Sequence, residues 1–204
     1  MSGLSEHFHQ AKSKEDFADR YLTYMSDLLA QVDRGAVAQI LETFIEAGEA
    51  GRTIYFLANG GSAAVASHFV NDLGIGTRAE GSRPFRAASL VDNVPTLTAV
   101  GNDEGYEKIF LYQLEAVLDA GDVVVALSVS GNSPNIIEAV RYAKKVGAVV
   151  IGCTGFDGGA LRQLCDISLH QSTPRGEYGP TEDVFSVLDH LVYTYLRLLR
   201  RGKL

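Results

Sequence analysis

The segment from Asp122 to Val140, DVVVALSVSGNSPNIIEAV, joins an apolar run to a helical pattern through a loop of small residues. The apolar run predicts a buried strand, and Ser133 with Pro134 is typical of an N-cap and a first helical position. The loop also carries the hydroxyls of Ser128 and Ser130. Free N–H groups at a helix start, together with small side chains, favour phosphate binding. A capped turn after a core strand accounts for the same residues equally well.

A second strand, loop and helix of the same kind occurs earlier in the chain. Residues 53–58, TIYFLA, are β-branched and aromatic and predict a strand, which the turn Asn59-Gly60-Gly61-Ser62 follows. The turn lacks the third glycine of the dinucleotide fingerprint. No Gly-Lys-Ser/Thr of a nucleotide P-loop follows either loop. These features favour a site for a smaller phosphate ester.

Strands and helices alternate through the middle of the chain, which predicts an α/β fold. The runs VVVAL and VVIGC are apolar throughout, as in strands that are covered on both faces. We therefore expect a three-layer sandwich with a central, mainly parallel, five-stranded sheet. Both serine-bearing loops would lie at the carboxyl ends of its strands, where such sheets bind ligands. The predicted strands span 53–58, 86–90, 122–129, 149–154 and 167–170.

Helices are predicted at both ends of the chain. Apolar residues recur at intervals of three and four over about 15–32 and 36–50, which indicates two N-terminal helices. The last helix, 180–200, has apolar residues on nearly all sides and is expected to be long and buried. The parent domain or a second subunit can cover it, and we favour the subunit. We expect one domain over 1–204, made of segments 1–50, 53–171 and 180–200.

Composition excludes several classes of protein. The chain has 18 basic and 25 acidic residues and a formal net charge of −7, without the basic patch of a nucleic-acid-binding protein. No apolar run approaches the roughly 20 residues of a membrane span, and the first residues lack the apolar core of a signal peptide. The two cysteines, Cys153 and Cys165, have no metal-ligand spacing and indicate reduced thiols. A cytoplasmic protein is expected.

The two loops occur together with Gly-Asn-Asp at 101–103 and Thr-Gly-Phe-Asp-Gly-Gly at 154–159. This combination resembles the sugar isomerase (SIS) domain family and, within it, the phosphoheptose isomerases, which act on sedoheptulose 7-phosphate. The resemblance covers almost the whole chain and implies a homotetramer with sites shared between subunits. It also implies the residues that bind the sugar phosphate: Asn59, Gly60, Gly61, Ser62, Asp103, Ser128, Ser130, Ser133 and Glu182.

The resemblance further implies the residues of the chemical step. Moving a carbonyl between C2 and C1 to form D-glycero-D-manno-heptose 7-phosphate needs a base at carbon and an acid at oxygen. The matching catalytic positions are Asp72, Glu182 and His190. Some members of the family bind zinc, which would assign His68, Asp72, Glu182 and His190 as ligands. Taken alone, Asp189 has the pattern of a solvated or paired carboxylate rather than a catalytic one.

Three positions depart from the family pattern. Asp72 stands where the family has Glu, Glu182 stands where it has Gln, and Gly76 stands where it has Arg, with Arg78 close by as a substitute. We interpret them as marking a subgroup of isomerases. Three alternatives remain: a non-enzymatic adaptor of the replication-initiator-binding type, a sugar-phosphate sensor, and an isomerase of another sugar phosphate. The retained His and carboxylate positions favour the enzyme.

Overall fold

The computed structural model describes residues 3–202 and contains one five-stranded sheet. All four pairs of neighbouring strands are parallel, and the strand order is β2-β1-β3-β4-β5. The expected α/β sandwich is therefore confirmed. The strands are β1 (Thr53–Ala58), β2 (Arg86–Ser89), β3 (Val123–Ser128), β4 (Val149–Thr154) and β5 (Ile167–His170).

Nine α-helices surround the sheet within residues 3–202. They are α1 (Leu4–Gln10), α2 (Lys14–Ala30), α3 (Arg34–Ala50), α4 (Gly60–Asn71), α5 (Val94–Asp103), α6 (Leu111–Val117), α7 (Pro134–Val146), α8 (Leu161–Leu164) and α9 (Tyr178–Arg200). A π-helical turn, Asp72–Gly76, continues α4, and a 3-10 turn, Tyr106–Lys108, precedes α6. No helix in this part of the chain is both long enough and apolar enough to cross a membrane.

The sheet is buried on both faces. Every residue of β1 and of β3 is buried, as the apolar runs predicted. One core packs the sheet against α3, α4 and α9, and it includes Phe44, Phe69 and Phe185. A second core packs the opposite face against the helices from α5 to α8, and it includes Phe110. These two cores make the three layers of the fold.

The beginnings of β1 and β3 are tied together by Asp122, which is almost fully buried. Its Oδ1 accepts a hydrogen bond from the Thr53 backbone N–H at 2.9 Å, and its Oδ2 accepts one from the Asp119 N–H at 3.0 Å. Both carboxylate oxygens are therefore paired, as a buried charge requires. The bond fixes the register of the two strands whose far ends carry the serine-bearing loops.

The N-terminal helices differ in detail from the prediction. Helix α1, which was not predicted, lies before α2, and α2 ends at Ala30 rather than Val32. The Glu177 carboxylate, just before α9, accepts hydrogen bonds from the Leu4 N–H and from the Tyr24 hydroxyl at 2.5 and 2.7 Å. Burial and this carboxylate raise the pKa of Tyr24. Glu177 thus joins the N-terminal helices to the start of α9.

The segment between β2 and β3 also differs from the prediction. A helix break was expected over 100–105, but α5 continues to Asp103, and Gly105 at φ 102° leads out of it. The predicted amphipathic helix over 106–118 is shorter and begins at Leu111. Ile109 and Phe110 precede it and are buried in the core. These two buried residues lie between the 3-10 turn and α6.

Helix α9 is buried on one side only within the chain. Phe185, Leu188, Val192 and Leu196 enter the core that contains α3 and α4. On the other side, apolar residues form an exposed stripe. The exposed fractions are 43% for Val187, 42% for Leu191, 38% for Tyr195 and 36% for Leu198. The expected burial all round is therefore incomplete in the single chain. An apolar stripe of this kind marks an interaction surface.

Candidate active site

The two serine-bearing loops are neighbours because β1 and β3 are adjacent and parallel. They form a cleft of about 330 Å³ at the carboxyl ends of these strands. Helices α4 and α7 both begin at the cleft, so their positive dipole ends face it. The residues that line it include Asn59, Gly60, Gly61, Ser62, Ser128, Ser130, Ser133, Tyr178 and Glu182.

The loop after β3 is shaped by its own hydrogen bonds. The Gly131 N–H donates to Ser128 Oγ at 3.2 Å, and the Asn132 N–H donates to Ser130 Oγ at 3.3 Å. Ser133 is the N-cap of α7, as predicted, but its hydroxyl makes no capping hydrogen bond. The three serine hydroxyls of this loop thus line the cleft together with that of Ser62, and the Ser133 hydroxyl makes no bond to the helix start.

Gly131 holds this loop against the loop after β4. Its φ is 63°, a conformation that favours glycine, and a Cβ there would overlap the carbonyl oxygen of Gly158. The Gly131 carbonyl also accepts a hydrogen bond from the Leu161 N–H at 2.9 Å. Only a glycine allows the two loops to approach this closely.

Asn59 is held by side chains rather than exposed as a free amide. It exchanges two hydrogen bonds with Asn135, at 2.9 and 2.8 Å, and its Oδ1 also accepts one from the Tyr106 hydroxyl at 2.9 Å. Asn135 is buried in the first turn of α7. The amide pair therefore links the two loops and sets the width of the cleft.

Glu182 lies at the edge of the cleft, in the second turn of α9. Ser62 Oγ donates a hydrogen bond to its Oε1 at 3.0 Å. A Cβ at Gly61 would overlap the Glu182 carboxylate, so Gly61 is needed for this approach. The contact places an acceptor of hydrogen bonds beside the hydroxyls that line the cleft.

A cluster of two histidines and two aspartates lies further along α9. It consists of His68, Asp72, Asp189 and His190, each of which offers a ligand atom within 4.8 Å of the others. His68 Nε2 is 3.8 Å from Asp72 Oδ1, and its Nδ1 is 3.5 Å from Asp189 Oδ2. The His68 and His190 rings meet edge to face, with centroids 4.9 Å apart.

Asp189 is the unusual member of this cluster. It is fully buried, and neither carboxylate oxygen has a hydrogen-bond partner within residues 3–202. Burial, and to a lesser degree the charge of Asp72, raises the pKa of Asp189 to about 7. A buried acid without hydrogen bonds favours its neutral form. The expectation of a paired carboxylate fits its position beside His68, whereas the expectation of a solvated one does not.

The structure brings together three of the four predicted metal ligands, His68, Asp72 and His190. Glu182 is not part of that cluster and instead contacts Ser62. Asp103 is exposed at the end of α5, where its Oδ1 accepts a hydrogen bond from Asn102 at 2.7 Å. It is absent from the residues that line the cleft.

Gly76, the position at which the resemblance implies Arg, faces helix α9. A Cβ at this position would lie 2.5 Å from Cε2 of Tyr193, so the aromatic ring occupies the space of a side chain. Arg78 is exposed nearby. Tyr193 therefore explains why glycine is present here.

Sequence reasoning missed three residues of the site: Asp189, Asn135 and Tyr106. For Asp189 a signal was present, because it shares the core-facing side of α9 with Phe185, Leu188, Val192 and Leu196. Charged residues are rarely fully buried unless they are paired, so an Asp at a core-facing helix position indicates a partner or a functional role. Asn135 and Tyr106 carry no such signal, because their partner Asn59 is distant in sequence.

The donor set of the cluster fits a divalent transition metal. Two imidazoles with carboxylate oxygens are the ligands that zinc accepts, and His68 and Asp72 share one face of α4 and its π turn. The half-exposed side chain of His68 leaves its ring accessible to an ion. The residues can therefore hold a metal next to the cleft.

Comparison with known proteins finds similarity to the SIS domain and to phosphoheptose isomerases. A family model for the SIS domain matches residues 20–155. The phosphoheptose isomerase of Trichlorobacter lovleyi is 41% identical over 147 residues, which are 70% of this chain and 74% of that protein. That of Burkholderia pseudomallei is 35% identical over 187 residues, 85% of this chain and 93% of that one. The structure of a phosphoheptose isomerase from Francisella tularensis superposes with a TM-score of 0.80 at 27% identity, covering 90% and 98% of the two chains.

Proposed function

Because this chain belongs to the SIS-domain family and to its phosphoheptose isomerase group, we propose that it converts sedoheptulose 7-phosphate to D-glycero-D-manno-heptose 7-phosphate. One observation carries the proposal. A cleft suited to a phosphate and a His/Asp cluster suited to proton transfer lie along the same helix, α9. A sugar phosphate has an inert anionic end and a reacting carbonyl end, and the two parts of the site match these ends.

The cleft binds the phosphate in this proposal. The hydroxyls of Ser62, Ser128, Ser130 and Ser133 donate to phosphate oxygens, while Gly60 and Gly61 let the anion approach the backbone at the start of α4. Asn59 keeps the two loops in place through Asn135. The Glu182 carboxylate accepts hydrogen bonds from sugar hydroxyls rather than contacting the phosphate, because two negative charges repel.

The cluster carries out the proton transfers. One of two carboxylates, Asp72 or Glu182, is the base that removes the proton from carbon. His190 is the acid that protonates the carbonyl oxygen. Asp72 is buried with its Oδ1 near His68, whereas Glu182 is bonded to Ser62 and lies closer to the cleft. Asp103 does not line the cleft of its own chain, so in this proposal it contacts the substrate of a neighbouring subunit.

Zinc is the cofactor that we assign to the cluster, with His68, Asp72 and His190 as ligands, while Glu182, the fourth predicted ligand, lies outside the cluster and contacts Ser62. When bound, the ion supplies a positive charge that polarises the substrate carbonyl. We also propose a cytoplasmic location, in which reduced thiols at Cys153 and Cys165 are expected. Burial raises the pKa of the Cys153 thiol to about 12, as expected for a packing residue.

The proposed reaction is tested directly by incubating the protein with sedoheptulose 7-phosphate, with and without added zinc, and following aldose formation by NMR. We expect aldose in both samples and faster formation with zinc. Fructose 6-phosphate in a parallel sample tests an isomerase of a shorter sugar. Absence of turnover, with heptose phosphate still bound, would contradict the enzyme and leave a sensor or adaptor.

We also propose a homotetramer in which the exposed stripe of α9 is covered by a second copy. Val187→Glu places a charge on this stripe and is expected to shift the elution in size-exclusion chromatography with light scattering to a smaller species. Val117→Glu is the matched control, because Val117 is exposed to a similar extent, 48% against 43%, but lies on α6 in a different layer. Identical elution of the two variants would contradict this interface.

A further inference from the structure

We propose that Asp189 is a positioning residue whose carboxylate pairs with the Nδ1–H of His68 and so directs the Nε2 of that ring toward Asp72. This inference rests on the proposed role of His68 as a metal ligand. The distances support it, because Asp189 Oδ2 faces Nδ1 at 3.5 Å while Asp72 Oδ1 faces Nε2 at 3.8 Å. The two carboxylates thus lie on opposite nitrogens of one ring.

Burial favours a positioning role for Asp189 over that of a ligand. Its side chain is fully buried, whereas the side chain of Asp72, the other carboxylate of the cluster, is 11% exposed. His68 is 44% exposed and lies between the carboxylate and solvent. An imidazole that binds a metal through one nitrogen commonly donates its other N–H to a carboxylate, which fixes the tautomer and the ring orientation.

The surroundings of Asp189 also exclude a purely structural role. Phe185, Leu188 and Val192, on the same side of α9, are core residues, and within residues 3–202 the basic side chain within 4 Å of the Asp189 carboxylate is that of His68. An apolar residue would pack at this position without the cost of burying a carboxylate. An effect on His68 therefore explains the carboxylate better than a role in folding does.

The tautomer of His68 tests the inference without any metal or substrate. Imidazole nitrogens of the ¹⁵N-labelled, metal-free protein are observed by NMR at pH 8, and the His68 signals are assigned from their loss in His68→Gln. We expect the Nδ1–H form in the wild type. Asp189→Leu, which removes the acceptor, is expected to yield a mixture of tautomers. Asp189→Asn, whose carbonyl still accepts, is expected to restore the Nδ1–H form.

Affinity for Co²⁺ and Zn²⁺, measured by titration calorimetry, tests the consequence. We expect about 10- to 100-fold weaker binding in Asp189→Leu, partial recovery in Asp189→Asn, and an unchanged Co²⁺ absorption spectrum at saturation. A wild-type tautomer in Asp189→Leu would overturn the proposal, as would unchanged affinity. A changed Co²⁺ spectrum would also overturn it by making Asp189 a ligand. Neither readout uses turnover, so a failure of the isomerase assay is a separate result.

Discussion

Replacing His190 by alanine is expected to lower kcat for sedoheptulose 7-phosphate by about 10²- to 10⁴-fold, the range of general acid–base catalysis. His190 lies in the cluster with His68 and Asp72, and its ring contacts His68. It does not line the phosphate cleft. The dissociation constant of inorganic phosphate is therefore expected to change less than about threefold, as for a residue outside the cleft.

His9→Ala is the control for this variant, because His9 is exposed on α1, away from the cluster. Turnover is measured by NMR, phosphate binding by calorimetry and stability by thermal unfolding. A parallel loss of turnover, phosphate affinity and Tm in His190→Ala would show that the residue supports the fold. That result would remove His190 from the catalytic assignment.

Gly131→Ala is expected to reduce the free energy of unfolding by more than about 3 kcal/mol and to abolish phosphate binding. A left-handed φ costs an L residue about 1–2 kcal/mol, and the methyl group would also overlap the Gly158 carbonyl. The two loops must then separate, which moves Ser128 and Ser130 away from the cleft. Urea unfolding and phosphate titration measure the two effects.

Gly147→Ala is the control that introduces the backbone strain of a positive φ without the steric overlap expected in Gly131→Ala. Gly147 has a φ of 90°, but the nearest heavy atom to its Cβ would be 3.8 Å away. This variant is expected to lose about 1–2 kcal/mol and to bind phosphate normally, because it changes only the end of α7. Equal losses in the two variants would mean that the contact between the loops contributes little.

The parts of the fold that follow local rules were predicted from the sequence. The apolar run of β3, the serine loop and Pro134 at the start of α7 mark one strand, turn and helix, and the structure confirms all three. Strand β5 was predicted with the bounds that the structure has. These elements depend on neighbouring residues, so their signals lie within a few positions.

The features that were missed depend on residues distant in sequence. The Asn59–Asn135 pair joins positions 76 residues apart, and the bond between Ser62 and Glu182 spans 120. The exposure of Leu191 cannot be deduced from a helix that is apolar on nearly all sides, because only the packed structure shows which side meets the core.

Helix α9 carries both Glu182 at the cleft and His190 in the cluster without interruption. Eight residues separate them, which corresponds to about 12 Å along a helix axis. The helix therefore fixes the distance between the part of the site that binds the phosphate end of the substrate and the part that reacts with its carbonyl end. A hinge between two domains could adjust to sugars of different length, but a continuous helix cannot. Chain-length selectivity in this enzyme would then be set by helical rise, and one inserted residue between these positions would turn His190 about 100° away from its partners.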